Sequence, residues 1–146
     1  MGTLIVAGYS AWYAQKEYNK HMEEERTKLL CDYNHRYSTD KYIEYVIEWM
    51  LSIAIIGNDG SIIGVNRDIK NIPPSIHQKE MFLRFFEELY LQIKKDKLDK
   101  QEVFNLFGYY ALIFDKYEEF RLDITDYEKN EWSDFRSFIE LMKNFE

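Results

Sequence analysis

A chain of 146 residues with 46% hydrophobic and 17% aromatic content is one domain long and rich enough in apolar side chains to build a core, which argues against general disorder. Its formal net charge of −7 argues against a nucleic-acid module, which needs a basic stripe to displace phosphate counterions. Only six glycines and two prolines, the latter adjacent at Pro73-Pro74, interrupt the chain, so the expected fold is mainly α.

Residues 3–14 are apolar and aromatic and carry no charge, with Leu4, Ile5, Val6, Tyr9, Trp12 and Tyr13 among the small residues Ala7, Gly8, Ser10 and Ala11. Twelve residues are too few to span a bilayer, which needs about 20. No basic stretch precedes them as in a signal peptide, and Val6 stands where a myristoylation motif wants Ser or Thr. Small residues followed by Trp and Tyr, and then by Lys16, Lys20, Arg26 and Lys28, match the cytoplasmic end of a membrane helix. Residues 1–14 are therefore read as the end of an apolar anchor or as a packing segment, and residues 15–146 as one helical domain.

Residues 15–37 read as one long helix of about 35 Å. Tyr18, Met22, Leu29, Tyr33 and Tyr37 share a face, although Glu25 and Arg26 interrupt the stripe and weaken any coiled-coil reading. Cys31 and His35 stand four apart on this helix, a spacing that could offer two zinc ligands. A closed site needs two more, and His21 lies about 21 Å away along the axis. As the single cysteine, Cys31 cannot form an intrachain disulfide, and a reducing compartment is the simplest reading.

Ser38-Thr39-Asp40 supplies capping chemistry for a second helix from Lys41, with Tyr42, Ile43, Val46, Ile47, Trp49, Met50 and Ile53 as its apolar positions. Two readings of its end stay open. Apolar runs at 53–56 and 61–65 flank Gly57-Asn-Asp-Gly60, a good hairpin turn; alternatively the helix continues to Ile56 and Gly57 caps it. A loop over 66–74 follows, where the prolines block any helix.

Ser75-Ile-His-Gln78 is a capping box that starts the third helix at Ile76, with Phe82, Phe86, Leu89 and Ile93 as its main stripe. His77 in that first turn reads as a solvated residue. Arg84 and Glu88, at i and i+4, predict a surface ion pair, and the adjacent Glu87 and Glu88 point too far apart on a helix to form a catalytic carboxylate pair. Asp99-Lys-Gln-Glu102 predicts a second capping box and a fourth helix with Val103, Phe107, Tyr110, Phe114 and Tyr117 facing the core. A short connector makes helices three and four an antiparallel hairpin. Gly108, costly in mid-helix by about 0.8–1 kcal/mol, points to close approach of a neighbouring helix beside Tyr109 and Tyr110. The tail repeats a helical pattern through Trp132, Phe135, Phe138 or Ile139, and Met142, capped by Thr125 or Asn130.

The segments Glu80-Met-Phe-Leu-Arg-Phe-Phe-Glu-Glu-Leu89 and Leu98-Asp-Lys-Gln-Glu-Val-Phe-Asn-Leu-Phe-Gly-Tyr-Tyr110 resemble the core of a family of small, uncharacterised bacterial helical proteins. The resemblance implies an N-terminal membrane helix ahead of a cytoplasmic bundle, and it implies no catalytic residues. Here only the end of such an anchor is present.

The expected fold is thus a bundle of four to five helices with a long N-terminal helix and, on one reading of 53–65, a small hairpin. No P-loop, dinucleotide glycine fingerprint, Ser-His-Asp set or CxxC pair is found, so no cofactor, metal or catalytic residue is expected. The leading function is a non-enzymatic, membrane-proximal interaction module on the cytoplasmic side of the inner membrane. The runner-up is a soluble, cytoplasmic homodimer paired through its N-terminal helices. A third reading is a small-ligand sensor or enzyme with a pocket near Arg84, Glu88, Tyr109 and Tyr110.

Overall fold

The computed structural model describes residues 2–68, 71–124, 127 and 130–146. α1 (Gly2–Thr39) is a single uninterrupted helix of 38 residues, about 57 Å long. It continues through the whole apolar N-terminal stretch, because nothing between Gly2 and Thr39 breaks helical geometry: no proline, and only the glycines at positions 2 and 8. Its C-terminal half packs on the domain through Leu29, Leu30, Tyr33 and Tyr37. Tyr18, read as part of that stripe, instead lies on the projecting half and is exposed.

α2 (Lys41–Ile53) begins at Asp40, whose carboxylate accepts from the N–H groups of Tyr42 and Ile43. Such a cap contributes about 1 kcal/mol. Ile43, Val46, Trp49, Met50 and Ile53 fill its buried face. The chain then forms the hairpin, β1 (Ala54–Ile56) against β2 (Ile62–Val65), antiparallel with a bulge after Ile55. Gly60 takes the left-handed conformation, with φ at 83°, that the turn requires. Asp59 steadies that turn by accepting from both the N–H and the hydroxyl of Ser61. Tyr109 and Tyr117 tie the hairpin down: the Ile62 N–H donates to the Tyr109 hydroxyl at 3.1 Å, and the Tyr117 hydroxyl donates to the Ile62 carbonyl at 3.4 Å.

α3 (Ile76–Lys94) opens with the full capping box, Ser75 and Gln78 each bonding the other's backbone N–H. It lies between α2 and α7 (Ser133–Lys143) and supplies five of the fully buried side chains: Phe82, Leu83, Phe85, Phe86 and Leu89. The antiparallel partner of α3 is a continuous rod made of α4 (Lys100–Val103), a π-helical turn (Phe104–Gly108) and α5 (Tyr109–Lys116). Rings pair in reverse order along the two rods: Phe82 meets Phe114 at 5.2 Å, and Phe85 meets Phe107 at 5.7 Å. Asp99 caps this rod through the Gln101 and Glu102 N–H groups. A single-turn α6 (Glu118–Arg121) follows, and α7 closes the core with Phe135, Phe138, Ile139 and Met142 all buried. Trp132 is the N-terminal boundary residue of α7 and no side chain of its own segment caps it; Thr125 lies outside the described residues. Glu87 of α3 lies near this end of α7, where burial and the neighbouring Asp134 push its pKa up and the Phe135 N–H opposes the shift.

The nearest obstacle to a side chain at Gly108 lies in its own turn and not on a neighbouring helix. A Cβ there would sit 2.9 Å from Cδ2 of Phe104, in the same π turn. The extra residue per turn in a π segment brings the Phe104 ring over the glycine. Gly108→Ala is therefore expected to cost the wild type about 1 kcal/mol through overpacking. In a Phe104→Ala background the same change is expected to stabilise by about 0.5–1 kcal/mol, the ordinary helical gain of alanine over glycine. Urea unfolding of the four proteins measures the cycle, and additive effects would rule out the ring as the cause.

Candidate functional site

The four residues singled out from the sequence do not converge on one cleft. Arg84 lays its guanidinium over the Trp132 ring, 5.6 Å from the centroid. Glu88 does not pair with Arg84 as the helical spacing predicted. It turns to α1 and binds Arg36, whose second guanidinium nitrogen lies 3.4 Å from the other carboxylate oxygen. The reason is tertiary: α1 crosses this face of α3 and offers a guanidinium already held against the Phe85 ring. That pairing pushes the Arg36 pKa up, chiefly through the hydrogen bond to Glu88. Tyr109 is committed to the hairpin, and Tyr110 stands edge-on to it at 5.1 Å. Tyr110 also lies beside Tyr37, whose burial under α3 and the π turn pushes its own pKa well up.

The metal-ligand spacing of Cys31 and His35 gains no further partner. Among the described residues no group of three or more His, Cys, Asp or Glu side chains is placed to hold a metal ion. His21 pairs with Glu25 at 3.1 Å, and His77 is exposed, edge-on to Tyr42 at 5.6 Å.

Two other places stand open to solvent. The first is the free half of α1. Ile5, Tyr9, Trp12 and Tyr13 are 72%, 64%, 57% and 51% exposed, so this apolar face is not buried against the bundle. Successive positions 5, 9, 12, 13 and 16 fall on one side of the helix. There Tyr9 contacts Trp12 and Tyr13 at 5.8 and 6.5 Å, and Lys16 places its ammonium 5.1 Å from the Trp12 ring. The domain grips α1 further along: Arg26 donates to the Asp96 carbonyl at 2.9 Å, and Arg36 binds Glu88. Among the described residues no helix is long and apolar enough to cross a membrane.

The second is a cleft of about 440 Å³ where the end of α2, β2 and α6 meet. Its apolar lining is Trp49, Ile53, Val65, Pro73 and Leu122, and Asn71, Arg67, Glu118 and Glu119 supply polar groups. The Arg67 guanidinium reaches Oε1 of Glu119 at 2.6 and 2.7 Å. Glu119 is held below the usual carboxylate range, first by its own backbone N–H and then by Arg67. Behind the cleft wall Lys79, 1% exposed, donates to the Leu122 carbonyl at 2.8 Å and lies 4.9 Å from the Trp49 centroid. Burial lowers its pKa, and Asp123 partly opposes that shift.

Sequence reasoning missed this cleft, since its walls come from segments 49–53, 65–73 and 118–122 with no local pattern joining them. It also missed Lys79, for which a signal existed: Lys79, Phe82, Phe86 and Leu89 follow one helical stripe. No family model, no curated protein and no solved structure matches this chain.

Proposed function

We propose that this chain is a non-enzymatic, membrane-proximal interaction module, held against the cytoplasmic face of a membrane by the first turns of α1. The observation that carries this reading is the uncharged aromatic face of Ile5, Tyr9, Trp12 and Tyr13, exposed on a rigid helix that runs unbroken into the bundle. Tyr and Trp are favoured at the headgroup level of a bilayer, where the ring is half apolar and half wet. Lys16 and Lys20 follow at the point where the helix leaves the apolar layer, in keeping with the cytoplasmic preference of basic residues. The resemblance of the 80–110 core to membrane-anchored bacterial bundles points the same way. With α1 docked, the remaining helix holds the domain clear of the surface and leaves its outer faces open to a partner protein.

Flotation of the purified chain with vesicles of phosphatidylcholine and phosphatidylglycerol tests the docking step. The wild type is expected to float, and Trp12→Ala with Tyr13→Ala is expected to lower vesicle affinity at least about tenfold, since each 1.4 kcal/mol of lost apolar burial is a factor of ten. A chain that stays at the bottom of the gradient with every vesicle composition sinks the membrane reading. If that chain instead sediments as a dimer that the same two substitutions split, the N-terminal helices pair with a second copy.

A further inference from the structure

We propose that the cleft between α2, β2 and α6 is a binding site for a small organic cation with an aliphatic body, a primary amine or a guanidine. This site is separate from the α1 face and does not depend on the membrane reading. Its volume of about 440 Å³ lies in the range of small-molecule sites. An aliphatic body fits the apolar floor of Trp49, Ile53, Val65 and Leu122.

The carboxylates decide the charge of the occupant. The Glu119 side chain is only 19% exposed, so its carboxylate stays against the cleft wall, and its own backbone N–H helps keep it ionised. Glu118, beside it on the rim, makes no ion pair among the described residues. The guanidinium already on Glu119 is Arg67, whose side chain is 79% exposed. Only the Arg67 end of the pair stands in solvent, where a long side chain gives up conformational entropy to stay in place, so that end is open to exchange. Arg67 thus marks the chemistry that Glu119 accepts and can give way to an incoming cation. Among the described lining residues no cation is left open to an anion. Among the lining side chains Arg67 is already neutralised, and the buried ammonium of Lys79 is committed to the Leu122 carbonyl and the Trp49 ring.

Titration of the ¹⁵N-labelled full chain with n-hexylammonium, hexanol and hexanoate tests the assignment by amide shifts. Hexylammonium is expected to move the Ile53, Val65 and Leu122 resonances with an affinity about tenfold above that of hexanol, the margin of one charge-assisted contact. Hexanoate is expected to bind more weakly than hexanol. Glu119→Gln should remove the advantage of the cation and leave hexanol unchanged, and Arg67→Ala should tighten the cation by freeing Glu119. The proposal is overturned if hexanol binds as well as hexylammonium, or if the shifts map away from these residues. It is equally overturned if Glu119→Gln, shown folded by circular dichroism, keeps the preference for the cation.

Discussion

Phe86→Ala is expected to remove about 3–5 kcal/mol of stability, a large share of the roughly 5–15 kcal/mol that holds a domain folded. The Phe86 ring is the point where three helices meet. It packs on Phe82 at 4.9 Å and Phe85 at 5.3 Å within α3, on Phe138 at 5.4 Å and Phe135 at 6.0 Å from α7, and on Tyr37 of α1 at 6.3 Å. Those neighbours are themselves large and rigid, so they collapse poorly into the space left behind, and the cavity term adds to the lost transfer energy. Phe104→Ala serves as the comparison. Its ring is half-buried and meets Phe145 at 5.5 Å on the rim, and a loss of about 1–2 kcal/mol is expected there. Urea unfolding followed by far-ultraviolet circular dichroism measures both. Equal losses would mean that the aromatic cluster around Phe86 is not the centre of the core.

Lys79 gives the second large effect, and its sign depends on the replacement. Lys79→Ala deletes a fully buried aliphatic stem from between Trp49 and α6 and is expected to cost about 3 kcal/mol, as other long-chain truncations do. Lys79→Met keeps the stem and removes a charge that the core must otherwise desolvate, so stability at pH 7 is expected to change by less than about 1.5 kcal/mol. If Met proves as damaging as Ala, the ammonium bond to the Leu122 carbonyl outweighs the packing of the stem.

The pH dependence provides an independent check on the same lysine. Burial lowers the folded-state pKa of Lys79 below its ordinary value of 10.5. In the window just under that value the unfolded chain therefore binds more protons than the folded chain, and stability rises with pH there. Below the folded-state pKa both forms are protonated and the burial cost is fully present. The wild type should accordingly gain stability relative to Lys79→Met as pH climbs towards 10.5. The buried tyrosines, whose pKa values are raised by burial, act in the opposite direction at alkaline pH but are common to both proteins and cancel in the difference. A flat difference curve would place the Lys79 ammonium in contact with water.

Much of the architecture was legible because local chemistry agrees with the tertiary fold. The capping box at Ser75, the cap at Asp40 and the turn at 57–60 each satisfy backbone groups within a few residues, so their signals survive in any surroundings. The hairpin prevails over a longer α2 for a reason beyond those residues, since Tyr109 and Tyr117 bond the Ile62 backbone from a segment more than forty positions away. The π turn was not legible: Val103, Phe107, Tyr110 and Phe114 keep an α-helical spacing on paper, while the Phe104 ring over Gly108 is visible only in three dimensions. Neither was the partner of Glu88, for helical spacing offered Arg84 and the packing of α1 supplied Arg36.

A mainly α chain, the starts of α2 and α3, the aromatic stripe of α3 and the uncharged, apolar character of the first turns could all be read from the order of residues. Each of these depends on periodicity or on contacts between near neighbours, which the order of residues states directly. Packing in three dimensions selects which charges pair, why Gly108 is needed, that the first turns of α1 stand exposed, that Lys79 lies in the core, and that Trp49, Arg67 and Glu119 share a cleft. Those outcomes depend on how helices cross. Many crossings are compatible with one set of apolar stripes, and the one adopted is selected by the fit of large rings across several interfaces at once.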